Sequence, residues 1–426
     1  MRKNELLNKI NNGEFDAKFA ELYGERAGKR KNDILNGVEK FCKMYGEDRD
    51  IFVYSVPGRT ELSGNHTDHN HGKVIASSID LDIIAVVSPR NDNKVNLQSE
   101  GFRENSIDLD TFTKPDEKYV GHSEALIAGV ADAFRKNGRK ICGFDAYTTS
   151  DVLRGSGMSS SAAFEVMIGN IFNNLCNGGT VDAIEIAKDS QYAENVFFGK
   201  PCGLMDQLAC AVGGIISVDF ENEKEPIVEK VDFNLSEYGY RLCMVDTGGS
   251  HDDLTEDYAS VPAEMKAVAA YFGKKTLREV SEDEFSTQAA KLRRAVGDRA
   301  VLRAFHFFNE NKRVEKQINA LKNKDLDGYF ELVKASGRSS CMYLQNGYST
   351  KSPKEQGIML ALCVCDKFFE NREGAYRLHG GGFAGTIQAY VKKSDCEAFK
   401  RETERFFGEG SCRVIEIRKY GAIEII

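Results

Sequence analysis

The densest group of side chains able to do chemistry lies in residues 57–71, where the sequence reads PGRTELSGNHTDHNH. Its hydroxyl, amide, imidazole and carboxylate groups suit a ligand that carries many hydroxyls, such as a sugar or polyol. The three histidines and one aspartate within residues 66–71 are also ligand types of a Zn²⁺ or Fe site. No second dense His/Asp cluster follows to complete a metal shell, although isolated histidines keep that alternative open: His122, His251, His306 and His379. A solvated loop is the third alternative.

A second segment combines glycines with serines: Gly155, Ser156, Gly157, Met158, Ser159, Ser160, Ser161, Ala162 and Ala163. Glycines let the backbone approach an anion closely, and free N–H groups at the start of a following helix favour phosphate. The serine hydroxyls can bind phosphate oxygens or a Mg²⁺ ion. No lysine follows the glycines, so the segment is not a Walker A loop. A capped helix after a flexible turn is the alternative.

A third segment, residues 380–385, reads GGGFAG and formally satisfies the dinucleotide pattern G-x-G-x-x-G. That interpretation requires a strand before the glycines and a helix after them, whereas here the β-like run 386–391 follows them. Two alternatives fit better. The glycines either lead into a strand and pack against another phosphate loop, or they form a structural turn.

The elements that must position these segments alternate irregularly. Apolar residues recur at helical spacing in residues 1–50, 162–175, 181–198 and most of 255–375. β-like runs, the first of them stopped by Pro57 and Gly58, occupy residues 51–56, 83–87, 144–149, 214–218, 241–245, 386–391, 413–417 and 422–425. This irregular order predicts an α+β fold rather than regular βαβ winding. We expect two domains, residues 1–235 and 236–426.

Composition excludes several classes of protein. The 426 residues are 41% hydrophobic and 29% charged, as in globular domains, which excludes disorder and collagen-like repeats. The net charge of −8 disfavours a nucleic-acid partner. No run is apolar enough to span a membrane and the first residues lack a signal-peptide core, so we expect a cytoplasmic protein. The 11 scattered cysteines are expected to be reduced thiols.

Taken in order, the three segments resemble the signature motifs of the GHMP small-molecule kinases. The first resembles the galactokinase signature G-R-V-N-L-I-G-E-H-T-D-Y-N-G-G, here GRTELSGNHTDHNHG at residues 58–72. Residues 155–163 match the phosphate loop of the family, and residues 380–385 match its third motif. Residues 201–207, PCGLMDQ, resemble the galactokinase segment that ends in C-G-I-M-D-Q.

This resemblance implies a role for each matched residue. Asp206 is the carboxylate at the anomeric hydroxyl of the sugar, and Arg59 stands beside it. Ser161 and Glu194 are the expected Mg²⁺ ligands, and the segment from Gly155 to Ala162 is the expected ATP loop. The expected sugar contacts are Asn65, His66, Asp68, Gly203 and Tyr258.

The match departs from the family at a few positions. Asn65 replaces a glutamate that, in the family, accepts a hydrogen bond from the C6 hydroxyl of the sugar. An amide carries no charge, so a uronic acid such as galacturonate becomes an alternative substrate. His69 and His71, in place of Tyr and Gly, favour the same alternative, because plant galacturonate kinases look similar there. Leu153 replaces the usual proline.

The resemblance implies the two-domain GHMP architecture, with ATP and sugar bound in the cleft between the domains. It implies an ATP- and Mg²⁺-dependent kinase that phosphorylates the C1 hydroxyl of galactose, acting as a monomer. The alternatives are a galacturonate or other C6-variant sugar 1-kinase and a non-catalytic sugar sensor. The intact Ser161 and Asp206 favour an enzyme over the sensor.

Overall fold

The computed structural model describes residues 1–152, 158–249 and 254–426. Its helices are α1 (Lys3–Asn11), α2 (Asp16–Tyr23), α3 (Ala27–Tyr45), α4 (Ser123–Lys136), α5 (Ser160–Asn177), α6 (Ala183–Tyr192), α7 (Met205–Val212), α8 (Thr255–Tyr271), α9 (Glu282–Thr287), α10 (Ala289–Val296), α11 (Asp298–Lys322), α12 (Leu326–Ser339), α13 (Gly357–Phe369) and α14 (Cys396–Phe407). Its strands are β1 (Phe52–Ser63), β2 (Lys73–Pro89), β3 (Lys94–Ser99), β4 (Asn105–Asp108), β5 (Phe144–Ser150), β6 (Ile215–Asp219), β7 (Ile227–Val231), β8 (Tyr240–Asp246), β9 (Gly374–Leu378), β10 (Thr386–Lys392), β11 (Cys412–Ile415) and β12 (Ile423–Glu424). Two π-helical turns, Ala193–Phe198 and Ser340–Leu344, continue α6 and α12. No helix in these ranges is long and apolar enough to cross a membrane.

The strands of the described ranges form two sheets. The first has the order β12-β1-β2-β5-β3-β4, with β6 paired to β2 and β7 paired to β6. The second has the order β11-β8-β10-β9 and is antiparallel throughout. Mostly antiparallel sheets covered by helices confirm the predicted α+β class.

The expected domain boundary at residue 235 falls between β7 and β8, that is, between the two sheets. The chain nevertheless returns to the first sheet at its end, where β12 pairs with β1 and Glu424 stands opposite Tyr54. The division into residues 1–235 and 236–426 stays a prediction.

Strands β1 and β2 of the first sheet are buried on both faces. Tyr54 and Val56 of β1 join an apolar core with α4, α5 and α7. Val53 points to the opposite face and packs with α1, α2 and α3. Successive strand residues face opposite sides of the sheet, so β1 and β2 place side chains in both apolar cores.

Strand β1 is longer than the sequence predicted. Pro57 and Gly58 do not stop it; the strand continues to Ser63 and so carries Arg59 into the site. The pairing with β2 shifts register between Pro57 and Arg59 and again between Glu61 and Ser63. A bulge tolerates a proline that cannot donate to the ladder, which is why the prediction was wrong here.

A buried charge network fastens α3 and the C-terminal segment to the first sheet. Asp82 of β2 is fully buried and pairs with Arg30 of α3 and with Arg418, both also buried. Tyr23 and Ser55 donate hydrogen bonds to the same carboxylate. Burial alone would raise the pKa of Asp82, but the two guanidinium groups hold it below its ordinary value.

Candidate active site

The centre of the site is an ion pair between β1 and the first turn of α7. Arg59 donates from Nε to Oδ1 of Asp206 at 2.7 Å and from Nη2 to Oδ2 at 2.8 Å. Burial would raise the pKa of Asp206, but Arg59, together with a hydrogen bond from Ser159, lowers it below its ordinary value. The carboxylate is therefore ionised at neutral pH. Its side chain is 30% exposed, against 10% for Arg59, so the acceptor is the more accessible partner.

The serine-rich segment reaches this ion pair directly. Gly155, Ser156 and Gly157 of the predicted phosphate loop, and Leu153, lie outside the described residues. From Met158 onward the segment lies against β1, where the Arg59 N–H donates to the Met158 carbonyl at 3.2 Å. Ser159 adopts a left-handed backbone with φ 56°, and its hydroxyl donates to Oδ2 of Asp206. Ser160 begins α5, so the N-terminus of that helix faces the site.

A glycine in β1 permits this close docking. A side chain at Gly58 would place its Cβ 2.8 Å from the Met158 carbonyl oxygen and 3.1 Å from Val152. Both contacts are shorter than ordinary van der Waals packing. Gly58 therefore lets the serine-rich segment reach Asp206.

Ser161 and Glu194, the predicted metal ligands, lie together beside the ion pair. Ser161 donates to Oε1 of Glu194 at 3.1 Å, and Glu194 sits in the π-helical turn Ala193–Phe198. Its carboxylate also accepts from Lys200 at 3.0 Å and from Gln207 at 2.9 Å. Because Gln207 follows Asp206 in α7, this helix links the ion pair of Arg59 and Asp206 to the pair of Ser161 and Glu194.

A second buried carboxylate, Glu165 of α5, stands behind Glu194. Gln207 donates to Glu165 at 3.3 Å, and Oε1 of Glu165 finds no hydrogen-bond partner among the described residues. Burial, reinforced by the charge of Glu194, raises the pKa of Glu165 well above its ordinary value. Neither Glu165 nor Lys200 was predicted, since neither stands out in the sequence.

Asp68 and Gly203, two predicted sugar contacts, come from different motifs and touch. A Cβ at Gly203 would lie 2.5 Å from Oδ2 of Asp68, so only glycine lets that carboxylate stand where it does. Gly203 precedes Asp206 by three residues. Residues 57–71, called the sugar motif below, therefore meet residues 201–207 beside the ion pair.

His66 and Tyr258 both contact the glycine-rich third segment. Nε2 of His66 lies 2.9 Å from the Gly381 carbonyl oxygen, and the Tyr258 hydroxyl donates to the Gly382 carbonyl at 3.0 Å. The Tyr258 ring meets Phe383 edge to face, with centroids 5.5 Å apart. Burial, with a smaller effect of His69, lowers the pKa of His66 to about 4, so the ring is neutral at pH 7.

The third segment forms the connection between β9 and β10 and docks on the sugar motif. His379, just before it, contacts Thr60 of β1 at 3.1 Å, and Asn65 donates to the Gly380 carbonyl at 2.6 Å. The described contacts of the segment include residues 57–71, Tyr258 and Asn346. The sequence left open whether the glycines pack against another phosphate loop or form a structural turn. The segment's interpretation as a dinucleotide motif stays weak, because β10 follows the glycines.

Two residues that hold the sugar motif were missed. His306 of α11 contacts the Asn65 carbonyl oxygen at 2.9 Å, and Asn346 donates to Oδ1 of Asn65 at 2.8 Å. They lie 241 and 281 positions from Asn65, and no local pattern marks them. Among the residues that the structure describes, no three His, Cys, Asp or Glu side chains converge as a metal site requires.

Comparisons with known proteins identify the family and its relatives. The family model described as GHMP kinases N terminal domain matches residues 125–214, and the galactokinase galactose-binding signature matches residues 39–89. A galactokinase of Clostridium tetani is 30% identical over 398 residues, covering 89% of this chain and 94% of the relative. A galactokinase of Streptomyces coelicolor is 29% identical over 377 residues, covering 87% and 92%.

Solved structures give the same result. The crystal structure of Lactococcus lactis galactokinase complexed with galactose matches with a TM-score of 0.76 and 25% identity, covering 91% of this chain and 98% of that one. Methanococcus jannaschii mevalonate kinase, at 14% identity and a TM-score of 0.59, covers 87% of this chain and shares the fold.

Proposed function

The chain belongs to the galactokinase family of GHMP kinases, and on that premise we propose that it transfers the γ-phosphoryl group of ATP to the C1 hydroxyl of galactose. The observation that carries the proposal is the convergence on Asp206. Arg59 reaches it from the sugar motif, and Ser159 reaches it from the segment that matches the phosphate loop. A single ionised carboxylate therefore lies where the segments proposed to bind the sugar and ATP meet.

Asp206 is proposed to accept the proton of the C1 hydroxyl while the sugar oxygen bonds to the γ-phosphorus. The bond from that phosphorus to the bridging oxygen breaks, and ADP leaves. Arg59 keeps Asp206 ionised and stabilises negative charge on the transferring group. The structure supports these roles through the two-point Arg59 contact and the lowered pKa of Asp206.

The residues beside this ion pair fit a magnesium ion. Ser161 and Glu194 offer hard oxygens 3.1 Å apart, and a further buried oxygen of Glu165 has no described partner. Mg²⁺ prefers such oxygens and usually takes its remaining ligands from water and phosphate. We propose that Ser161 and Glu194 hold Mg²⁺, which would neutralise the nucleotide phosphates when bound.

The sugar is proposed to bind among His66, Asp68, Gly203 and Tyr258. Asp68 can accept hydrogen bonds from hydroxyl groups. The neutral His66 donates from Nε2 to the Gly381 carbonyl, so its Nδ1 can accept one from a hydroxyl. We propose that the chain acts as a monomer, as the family resemblance implies.

The base of ATP has a candidate cavity near Glu194. A cavity of about 710 Å³ is lined in part by Phe112 and Tyr119. The Phe112 ring lies 6.2 Å from that of Phe197, in the same π-helical turn as Glu194. Aromatic walls suit a flat base, and we propose that adenine binds there.

The relatives favour galactose over the galacturonate alternative, and one contact agrees. A uronic acid is favoured by Asn65 only because the amide removes a negative charge from the segment. In the structure Glu61 lies 3.2 Å from the Asn65 amide, so the segment keeps a carboxylate beside position 65 instead of losing it.

The test is ADP release by purified protein with ATP, Mg²⁺ and a panel of galactose, galacturonate, arabinose and N-acetylgalactosamine. We expect galactose to be the best substrate. No ADP release above background with galactose would refute the proposal. ATP turnover with any sugar of the panel would exclude a silent sensor.

A further inference from the structure

Asn65 is almost fully buried, and its side-chain amide is saturated by the protein. Nδ2 donates to the Gly380 carbonyl at 2.6 Å and to Oε1 of Glu61 at 3.2 Å. Oδ1 accepts from Asn346 at 2.8 Å and from Ser340 at 3.3 Å. An amide has two N–H donors and two acceptor lone pairs, so these four bonds use its whole capacity.

Glu61, its neighbour in this network, is buried against an arginine. Burial raises the pKa of Glu61, and Arg377 opposes this shift. Its carboxylate accepts from Nη2 of Arg377 in β9 at 2.8 Å, and the two side chains are 7% and 0% exposed. Nε and Nη1 of Arg377 find no hydrogen-bond partner among the described residues. Loss of Glu61 would therefore take away the closest counter-charge of a buried guanidinium group, which is costly.

The two residue types are exchanged relative to the galactokinase signature. That signature has Asn at the position of Glu61 and Glu at the position of Asn65. Here the carboxylate stands on the strand and pairs with Arg377, while the amide stands in the loop and binds the glycine-rich segment. One carboxylate and one amide are kept, but their places are reversed.

Neither residue can be replaced alone without a conflict. A carboxylate at position 65 has no N–H to donate to the Gly380 carbonyl, and it would face Glu61 across about the 3.2 Å of the present bond. An amide at position 61 would leave Arg377 without this ion pair. Conflicts of this kind between groups in contact make substitutions non-additive.

We propose that Glu61 and Asn65 are an exchanged, mutually dependent pair, in which Asn65 is a positioning residue that locks the sugar motif onto the glycine-rich segment and does not itself bind the sugar. This inference rests on the proposed function and revises the expectation that Asn65 contacts the substrate. The substrate-facing groups of the motif are then His66 and Asp68.

The first test is a double-mutant cycle of Asn65→Glu, Glu61→Asn and the combined exchange. Each single change should lower kcat/KM for galactose by tenfold or more and lower the midpoint of thermal unfolding. The combined exchange should have a kcat/KM for galactose at least tenfold above that of the worse single variant. Asn32→Glu, which adds the same charge on an exposed position of α3, should behave as the wild type. Additive effects, or wild-type behaviour of Asn65→Glu, would overturn the pairing.

The second test separates positioning from contact. Binding of galactose and of 6-deoxygalactose is measured by calorimetry for the wild type and for Asn65→Ala. A positioning role predicts that both affinities fall by the same factor, so their ratio stays within about twofold. A ratio that falls towards one in Asn65→Ala would show a direct contact with the C6 hydroxyl. If the wild type fails to turn over galactose, the proposed function is refuted. The midpoints of thermal unfolding of the variants still test whether Glu61 and Asn65 depend on each other.

Discussion

At the scale of the residue, the proposed reaction depends on how Asp206 is held. Arg59 and Ser159 fix the carboxylate from two sides, and Arg59 keeps it ionised. A carboxylate that is ionised, partly exposed and pre-oriented can take a proton without first rearranging. Use of Asp206 as a base would explain why its side chain is more exposed than that of its partner Arg59.

The replacement Asp206→Asn tests this use. It keeps the shape of the side chain but removes the proton acceptor, so we expect kcat to fall by about 10² to 10⁴. Initial rates with saturating galactose and ATP would measure the change. Asp48→Asn, the same change at a fully exposed position, is the control and should keep the wild-type rate. A loss below tenfold would show that positioning, rather than proton removal, dominates.

A site residue could be predicted from the sequence only where it stands in a compact motif. Arg59, Asp68 and Asp206 stand in compact motifs and could be named from the sequence. His306 and Asn346 could not, because they contact the sugar motif across 241 and 281 positions through folding alone. The mutual dependence of Glu61 and Asn65 also needed the structure, since their partners come from β9 and from residues 340–380.

At the scale of the element, β1 and the serine-rich segment must lie in contact for the site to form. Gly58 is the point of closest approach between them. The sequence predicted both elements, but it ended β1 too early, because the bulge that accommodates Pro57 has no signature in a single sequence. The π-helical turn that carries Glu194 was likewise predicted only as ordinary helix.

Gly58→Ala tests this docking. The new Cβ would stand 2.8 Å from the Met158 carbonyl oxygen, and a backbone atom cannot move aside as a flexible side chain can. We expect the segment to shift and kcat/KM for ATP to fall by about 10-fold to 100-fold, as small misplacements do. Gly28→Ala is the matched control, since no atom lies within 4 Å of a Cβ there. Equal kinetics in the two variants would contradict the docking role of Gly58.

At the scale of the whole molecule, the C-terminal segment ties the second half of the chain to the first sheet. Arg418 and β12 both attach there, the former through Asp82. Composition and periodicity predicted the α+β class but could not show this return, because strand pairing between residues 54 and 424 depends on the complete fold.

Asp82→Asn should destabilise the protein strongly. It would leave Arg30 and Arg418 buried without their shared counter-charge, and breaking a buried pair typically costs about 3 to 5 kcal/mol. Urea unfolding measures the loss of free energy. Asp48→Asn, at a fully exposed partner of Arg2, should change it by less than about 1 kcal/mol. An equally small effect at Asp82 would mean that the network contributes little.

Acid should also destabilise the fold through its buried histidines. Burial lowers the pKa of His66 to about 4 and also lowers the pKa values of His306 and His379, whereas an unfolded histidine titrates near about 6.5. Below that value the unfolded chain binds protons that the folded chain does not. Each such histidine can then remove up to about 1.4 kcal/mol of unfolding free energy per pH unit, while its full contribution is present above about pH 6.5.

Urea unfolding at pH 7.5 and pH 5.5 would measure this loss. The wild type should be less stable at pH 5.5, and His379→Gln should lose less on the same change of pH. Unchanged stability of the wild type, or the same loss in both proteins, would contradict the titration of His379 on unfolding.

The most direct test of the central claim is the identity of the product made from galactose, ATP and Mg²⁺. ³¹P and ¹H NMR of the reaction mixture should show a new phosphate monoester coupled to the anomeric proton, formed in a one-to-one ratio with ADP. Phosphate attached to any other carbon, or ADP formed only with free phosphate, would contradict a sugar 1-kinase.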